Sequence, residues 1–473
     1  MRGTRAWRVR WPLLAVLAVQ AALSASMVRA RTAFGDEALY LSAGHLDWSH
    51  WLHGTQIPDY QAWFSGAPVI YPPLGAIADS LGGLTGARLL SLGFMLGVTC
   101  FLWGTANRLL ADERAAFFAA ALFAVLAPTL HLGSYATYDA PALLLLAAAT
   151  WCAAGATAGR PAMRWIAVAG LLLALANATK YATALFDPVV LAVVFLGSWA
   201  DAGRKTAVAR AALLAGVAAA VLAVLLALGG PGYLTGIRVT TTGRPQGNDT
   251  AALVFADAWS WTAVVLIPAV AGAVVGAYRR RWPQALLLAV LALAALLAPA
   301  GQARITTTVS LDKHVDFGAW FAAIAAGYLL SALSRHRLAL TAAVAALIPV
   351  TVLGTVQAQA MVNWPSVTGL VAAVRPLTSH GGRFLVETTD VLQYYLPDTT
   401  WQQWSSTQTA SLEYYKQAIA RHYYSLVILN FSQTLAADYE ISLALSAGSG
   451  YSLAAKVRTG STLFYVWQYT GRV

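Results

Sequence analysis

The chain has 473 residues, 58% of them hydrophobic and 11% charged, with a formal net charge of +11. Its mean hydropathy is +0.60. Soluble globular chains carry about a quarter charged residues, so this composition excludes an ordinary soluble domain and points to a polytopic membrane protein whose first partner is the lipid bilayer; no nucleic-acid partner is expected.

A span needs roughly 20 mostly apolar residues. Lipid offers no partner for a free backbone N–H or C=O, so the spans are expected to be helices. About eleven segments fit this template: 11–28, 86–106, 115–131, 141–158, 165–179, 186–200, 207–229, 259–278, 282–299, 317–333 and 338–357. The first also reads as a cleaved signal peptide, with "VRA" as the processing site. Cys100 and Cys152 fall inside apolar runs and are expected as small apolar residues of a buried kind.

Basic residues are retained on the cytoplasmic side. With the N-terminus inside, sixteen Lys and Arg fall on inner segments, Arg2, Arg5, Arg8, Arg10 and Arg160 among them, against eight on outer segments before residue 358. The expected protein is a multi-pass plasma-membrane protein with a cytoplasmic N-terminus. Acids collect on the opposite side, at Asp36, Glu37, Asp47, Asp139, Asp187, Asp249, Asp312 and Asp316. Acid placement does not set topology, so this accumulation reads as chemistry.

The first outer loop, 29–85, opens with "FGDEALY" and is rich in Trp48, Trp51, Tyr60, Trp63 and Tyr71. Such residues favour the membrane–water interface, and short surface helices are expected there. Asp36 follows Gly35 and suits a helix cap, with Glu37 in the first turn. The same pair at the hydrocarbon boundary also suits deprotonation of a hydroxyl. Further on, Tyr71-Pro72-Pro73 reads as an extended turn before an apolar run.

"GSYATYDAPALL" sets Asp139 beside Tyr135 and Tyr138 at the mouth of the fourth span, either as a helix cap or as a carboxylate turned into a cavity. "NATKYATALFDP" interrupts the fifth and sixth spans and carries Lys180. Arg304, Lys313 and His314 precede the tenth span in company with Thr and Ser hydroxyls. These are either snorkelling flanks or a grip on the phosphate of a lipid carrier, with Lys as a point charge and Arg as a fork. Arg238 and Arg244 stand by in the long outer loop. From residue 358 the pattern changes to strands such as "YYSLVILNF" and "TLFYVWQY" with one helical stretch, "SLEYYKQAIARHY". This predicts a small extracytoplasmic α/β domain over 358–473, after a membrane domain over 1–357. The triplets "NAT", "NDT" and "NFS" match the N-glycosylation pattern by coincidence.

"FGDEALY" in the first outer loop, then "YPPLGA", then "YATYDAPALLLLA" after the third span resembles the membrane-embedded GT-C glycosyltransferases. Nearest are the dolichyl-phosphate-mannose-protein mannosyltransferase-like proteins of family 39 and the related aminoarabinose transferases. The resemblance implies a helical polytopic GT-C fold with an active site at the outer membrane face. It implies a sugar donor on a polyprenyl phosphate, Asp36 as catalytic base and Glu37 as its acidic neighbour. Asp139 matches a second acid near the substrates, where Tyr138 and Tyr71 join it as candidate contacts. "DKHVDFGAWF" resembles the family's phosphate-contacting stretch, which makes Lys313 and His314 donor-phosphate residues along with Arg304 and Lys180. Tyr71 and Ala76 depart from the mannosyltransferase pattern of His before and Lys after the Pro pair. The acceptor is therefore left open among glycan, glycolipid and protein. No dedicated ligand motif marks a cofactor, and a divalent cation (Mg or Mn) held by Asp36, Glu37 and Asp139 is an open alternative. The other function classes are a transporter or flippase for lipid-linked sugars and a non-catalytic assembly partner. Ionisable residues gathered at the outer boundary rather than mid-span disfavour transport.

Overall fold

A computed structural model describes residues 11–156, 162–379 and 381–471. Arg2, Arg5, Arg8, Arg10 and Arg160, on which the expected orientation partly rests, lie outside them. The chain divides into two compact units: residues up to Val28 with Asp47–Val362, and Arg29–Leu46 with Asn363–Val473.

The first unit is helical. Among the described residues, eight helices are long and apolar enough to cross a membrane: Tyr71–Leu110, Ala162–Thr179, Tyr181–Trp199, Arg204–Gly229, Ala251–Tyr278, Trp282–Arg304, Leu311–Leu333 and Arg337–Met361. Two shorter apolar helices, Trp11–Met27 and Asp139–Gly155, accompany them. The remaining expected span, 115–131, is two helices, Glu113–Ala124 and Ala127–Leu132. The chain is extended at Leu126, just ahead of Pro128, whose ring is tolerated only in the opening turn of a new helix.

Helix Leu311–Leu333 is the most buried of the long helices, with 83% of its apolar window covered. In lipid, helices associate by close packing of small residues rather than by hydrophobic exclusion. A Cβ on Gly318 would lie 2.4 Å from the carbonyl oxygen of Ala294, and one on Gly327 would lie 2.3 Å from that of Ala115. The buried Trp320 donates its indole N–H to Val98 O at 3.2 Å.

The first outer loop differs from the expected run of short helices. It holds one 19-residue helix, Gly35–His53, and a single turn at Tyr60–Ala62. Tyr71-Pro72-Pro73 is likewise not an extended turn: it begins helix Tyr71–Leu110. The first helical N–H groups have no intrahelical acceptor, so prolines cost nothing there. The helical dihedrals are then interrupted at Gly82 and Gly83, the latter at φ 60°.

The second unit is built on a five-stranded sheet of β1 (Phe384–Val386), β2 (Trp404–Ser406), β3 (Leu426–Leu429), β4 (Tyr451–Thr459) and β5 (Thr462–Tyr469). The order is β2-β1-β3-β5-β4, with β1 parallel to β2 and β3, and β5 antiparallel to β3 and β4. Alternation along the strands separates two cores. Phe384, Val386, Leu426 and Ile428 pack with Leu370, Val374 and Leu392. Leu385, Val427 and Leu429 pack with Tyr415, Ile419, Ile441 and Leu445 on the other face. The segment before helix Gly35–His53 is tied into this unit. Trp364 donates to Thr32 O at 2.8 Å, and Ala33 N–H donates to the Tyr395 hydroxyl at 2.7 Å.

Candidate functional site

The site in the first unit starts from a backbone pairing. Ala67 N–H donates to Ala178 O at 2.8 Å, and Tyr181 N–H donates to Ser65 O at 3.0 Å. Gly66 sits between them, where a Cβ would fall 1.9 Å from Thr179 O. The end of helix Ala162–Thr179 is thereby held in extended form at Lys180. The lysine reaches Asp139, with Nζ 2.6 Å from Oδ1, and the two side chains are 5% and 1% exposed. Asp139 therefore does not spend its carboxylate on a helix cap: its second oxygen accepts from Thr137 Oγ1 at 2.9 Å.

A second group comes from the first turn of helix Leu311–Leu333. Lys313 is buried, with Nζ 5.5 Å from the centroid of the Tyr135 ring. His131 stacks on that same ring and lies 3.4 Å from Asp312. Asp316 is fully buried and accepts from Thr129 Oγ1 at 2.7 Å. His314 Nδ1 meets Gln302 Nε2 at 3.0 Å, and the amide also donates to Val309 O. With the amide as donor, Nδ1 is the acceptor and the imidazole proton sits on Nε2. That nitrogen meets no hydrogen-bond partner among the described residues. Within electrostatic reach of His314 lie Lys180, Lys313 and Arg244 against two carboxylates, Asp139 and Asp312. The excess is positive, and a buried pair such as Lys180–Asp139 is expensive to desolvate, which favours a role beyond stability.

His314 and Arg304 also line a cavity of about 940 Å³. Its lining is mostly apolar, with Leu222, Leu225, Leu226 and Phe317, and also includes Arg244, Gln246, Gln302 and the carboxylate Asp187. Tyr71 and Tyr138 are fully buried and meet edge to face, ring centroids 5.8 Å apart. The sequence reading missed Gln302, which orients His314, and the Asn177–Asp187 pair at 2.8 Å beside the cavity. "NATKYATALFDP" contains the second pair but nothing that marks it.

Asp36 and Glu37 belong to the second unit, in the first turn of helix Gly35–His53. Glu37 is buried, and its Oε2 accepts the Phe34 N–H at 3.0 Å. This is half of a capping box: the acid at the third helical position reaches back to the cap. Asp36 is half-buried. Asp390, in the same unit, lies within its field, and burial together with that charge pushes the Asp390 carboxyl up to about 6. Among the described residues no three His, Cys, Asp or Glu side chains converge as a metal site. Asp139 is committed to Lys180 and Glu37 to a helix cap.

The fold has close counterparts among solved structures. ArnT from Cupriavidus metallidurans bound to undecaprenyl phosphate aligns over 97% of this chain and 98% of its own, with a TM-score of 0.65 at 14% identity. The chain has the GT-C fold. Two other solved GT-C proteins align over nearly all of this chain but over less of their own. The archaeal oligosaccharyltransferase AglB from Archaeoglobus fulgidus, in complex with an inhibitory peptide and a dolichol-phosphate, covers 97% of this chain and 74% of its own (TM-score 0.58, 12% identity). The arabinofuranosyltransferase AftD from Mycobacteria covers 98% and 40% (TM-score 0.61, 14% identity). Residues 76–229 match the family described as dolichyl-phosphate-mannose-protein mannosyltransferase. That GT-C match takes in Asp139 and Lys180; Asp36, Glu37, Arg304, Lys313 and His314 lie beyond its limits. No curated protein sequence matches the chain.

Proposed function

We propose that this chain is a membrane glycosyltransferase that moves a sugar from a polyprenyl-phosphate donor to an acceptor hydroxyl at the outer face of the membrane. The observation that carries the reading is the 940 Å³ cavity, whose mostly apolar lining also carries Arg304, Arg244 and His314. An apolar tail with an anionic head matches that combination. Solved proteins of the same fold are described as holding undecaprenyl phosphate and dolichol-phosphate.

In the proposed reaction the acceptor oxygen attacks the anomeric carbon, and Asp36 takes its proton. The bond from the anomeric carbon to the phosphate oxygen breaks, and the polyprenyl phosphate leaves with the electron pair. One displacement inverts the anomeric centre. Phosphate is already a good leaving group, so the protein must supply a base and positive charge where negative charge develops. Lys180, Lys313, Arg304 and the His314 N–H supply the charge. Asp139 keeps Lys180 oriented, and Tyr138 and Tyr71 stand as substrate contacts. The N-terminus is cytoplasmic in this reading, and the second unit faces outward with the acceptor.

The test has two arms. Mass spectrometry of glycoproteins, glycolipids and envelope polymers, in wild-type and deletion strains, should show one glycoform missing. The purified chain in liposomes should then rebuild that product from the matching polyprenyl-phosphate sugar, and it should do so in EDTA. An unchanged glycan inventory, together with transbilayer movement of the lipid-linked sugar in liposomes, would replace this reading with a flippase.

A further inference from the structure

We infer that Asp249 is a positioning residue, which clips the loop carrying Arg244 onto the turn between Arg304 and His314 and so builds the anion end of the cavity. This rests on the proposed phosphate site.

The loop between helices Pro231–Thr240 and Ala251–Tyr278 contains Arg244 and Gln246, both of which line the cavity. The turn between helices Leu297–Arg304 and Leu311–Leu333 is flanked by Arg304 and His314. Five hydrogen bonds join the two segments. Gly247 N–H donates to Ile305 O at 3.0 Å, and Asp249 N–H donates to Thr306 O at 2.9 Å. Thr306 Oγ1 donates to Gly247 O at 2.7 Å. Thr308 donates twice to Asp249 Oδ2, from its N–H at 2.6 Å and from its hydroxyl at 2.8 Å. The approach is close enough that a Cβ on Gly247 would fall 2.4 Å from Thr306 O. The turn also holds two non-glycine residues in left-handed conformations, Thr306 at φ 48° and Ser310 at φ 68°, which persist only where surrounding contacts over-determine them.

Asp249 is the one acidic side chain in this clip. The Thr308 hydroxyl and N–H hold its carboxyl below the usual carboxylate range, so it is ionised at neutral pH and accepts both bonds. Nothing in the geometry brings Asp249 to the cavity itself; it acts through Arg244, which lies in electrostatic reach of His314.

The experiment measures binding of undecaprenyl phosphate, and of undecaprenol as the phosphate-free probe, to the purified full chain in detergent. Asp249→Ala should weaken undecaprenyl phosphate about tenfold and leave undecaprenol unchanged. Asp249→Asn keeps an acceptor for Thr308 and should recover most of the loss. Arg244→Ala should match Asp249→Ala, and the double variant should be no worse than either single one. If Asp249→Ala does not fold, Thr308→Val carries the same prediction at a smaller effect. An equal loss of both lipids would mean that the cavity has collapsed, and the positioning role would be discarded. It would also be discarded if the two variants added. Arg304→Ala and His314→Ala separate the levels. If they weaken undecaprenyl phosphate while Asp249→Ala does not, only this inference falls; if they change nothing, the phosphate site falls with it.

Discussion

Lys180 Nζ and Asp139 Oδ1 stand 2.6 Å apart with both side chains buried. The attraction in a low-dielectric interior roughly offsets the cost of stripping water from both charges, whereas removing one partner strands the other. Lys180→Met or Asp139→Leu alone should therefore lower stability by about 3–5 kcal/mol. The double variant Lys180→Met/Asp139→Leu should recover most of that, as read by thermal unfolding in detergent, and yet stay inactive because the cation is gone. A double variant that regained turnover would make the pair purely architectural.

The two acids of "FGDEALY" should separate under mutation. Glu37 caps its helix through the Phe34 N–H, so Glu37→Ala should cost about 1 kcal/mol, as the loss of a cap does, with turnover reduced only in proportion to folded protein. Asp36 is the proposed base, and Asp36→Asn should cut turnover by roughly 10²–10⁴-fold at an unchanged unfolding temperature. Full activity of Asp36→Asn with a purified lipid-linked donor would remove the base from the mechanism.

Much of this was legible in the residues, and the illegible parts share a cause. Apolar runs of about 20 residues mark helices because lipid leaves the backbone no alternative, and the short unbroken apolar run in "YYSLVILNF" marks a strand buried on both faces. Long-range meetings leave no such trace. Asp139 and Lys180 are distant in sequence, and they meet because Gly66 lets two backbone segments touch. "RPQGNDT" looked like a loop with a chance glycosylation triplet, yet its glycine and aspartate are the two residues that clip it down. The sequence reading kept 29–46 with the first outer loop, whereas Thr32 and Ala33 hydrogen-bond to Trp364 and Tyr395. Hydropathy sorts residues into lipid and water; it says nothing about which polar residues find one another.

Gly66 supports a sharp comparison. A Cβ there would sit 1.9 Å from a backbone carbonyl oxygen, whereas one on Gly93 would meet nothing within 4 Å. Overpacking against backbone cannot be relieved by a rotamer change, and even ordinary overpacking costs about 1–3 kcal/mol. Gly66→Ala should lower the unfolding temperature markedly and remove turnover by displacing Lys180. Gly93→Ala, inside a helix, should be neutral or slightly stabilising. Equal behaviour of the two variants in a thermal-shift assay would contradict the pairing between Ser65–Ala67 and Ala178–Tyr181.

Asp47 gives the fold a dependence on pH with a defined sign. It is 3% exposed, and its Oδ2 meets no hydrogen-bond partner among the described residues. Burial pushes its carboxyl up to about 7, and the neighbouring His50 opposes the shift. The folded state thus prefers the protonated acid, while the unfolded chain ionises near the ordinary aspartate value of 3.8. A carboxyl raised in this way contributes stability that is complete below about 4 and is lost as pH climbs through about 7. The unfolding temperature should accordingly fall by several degrees between pH 5 and pH 8. Asp47→Asn keeps the shape and removes the ionisation, so it should flatten that slope and leave the variant the more stable protein at pH 8. A slope that survives the substitution unchanged would assign the pH dependence to other groups and leave Asp47 ionised in the folded chain.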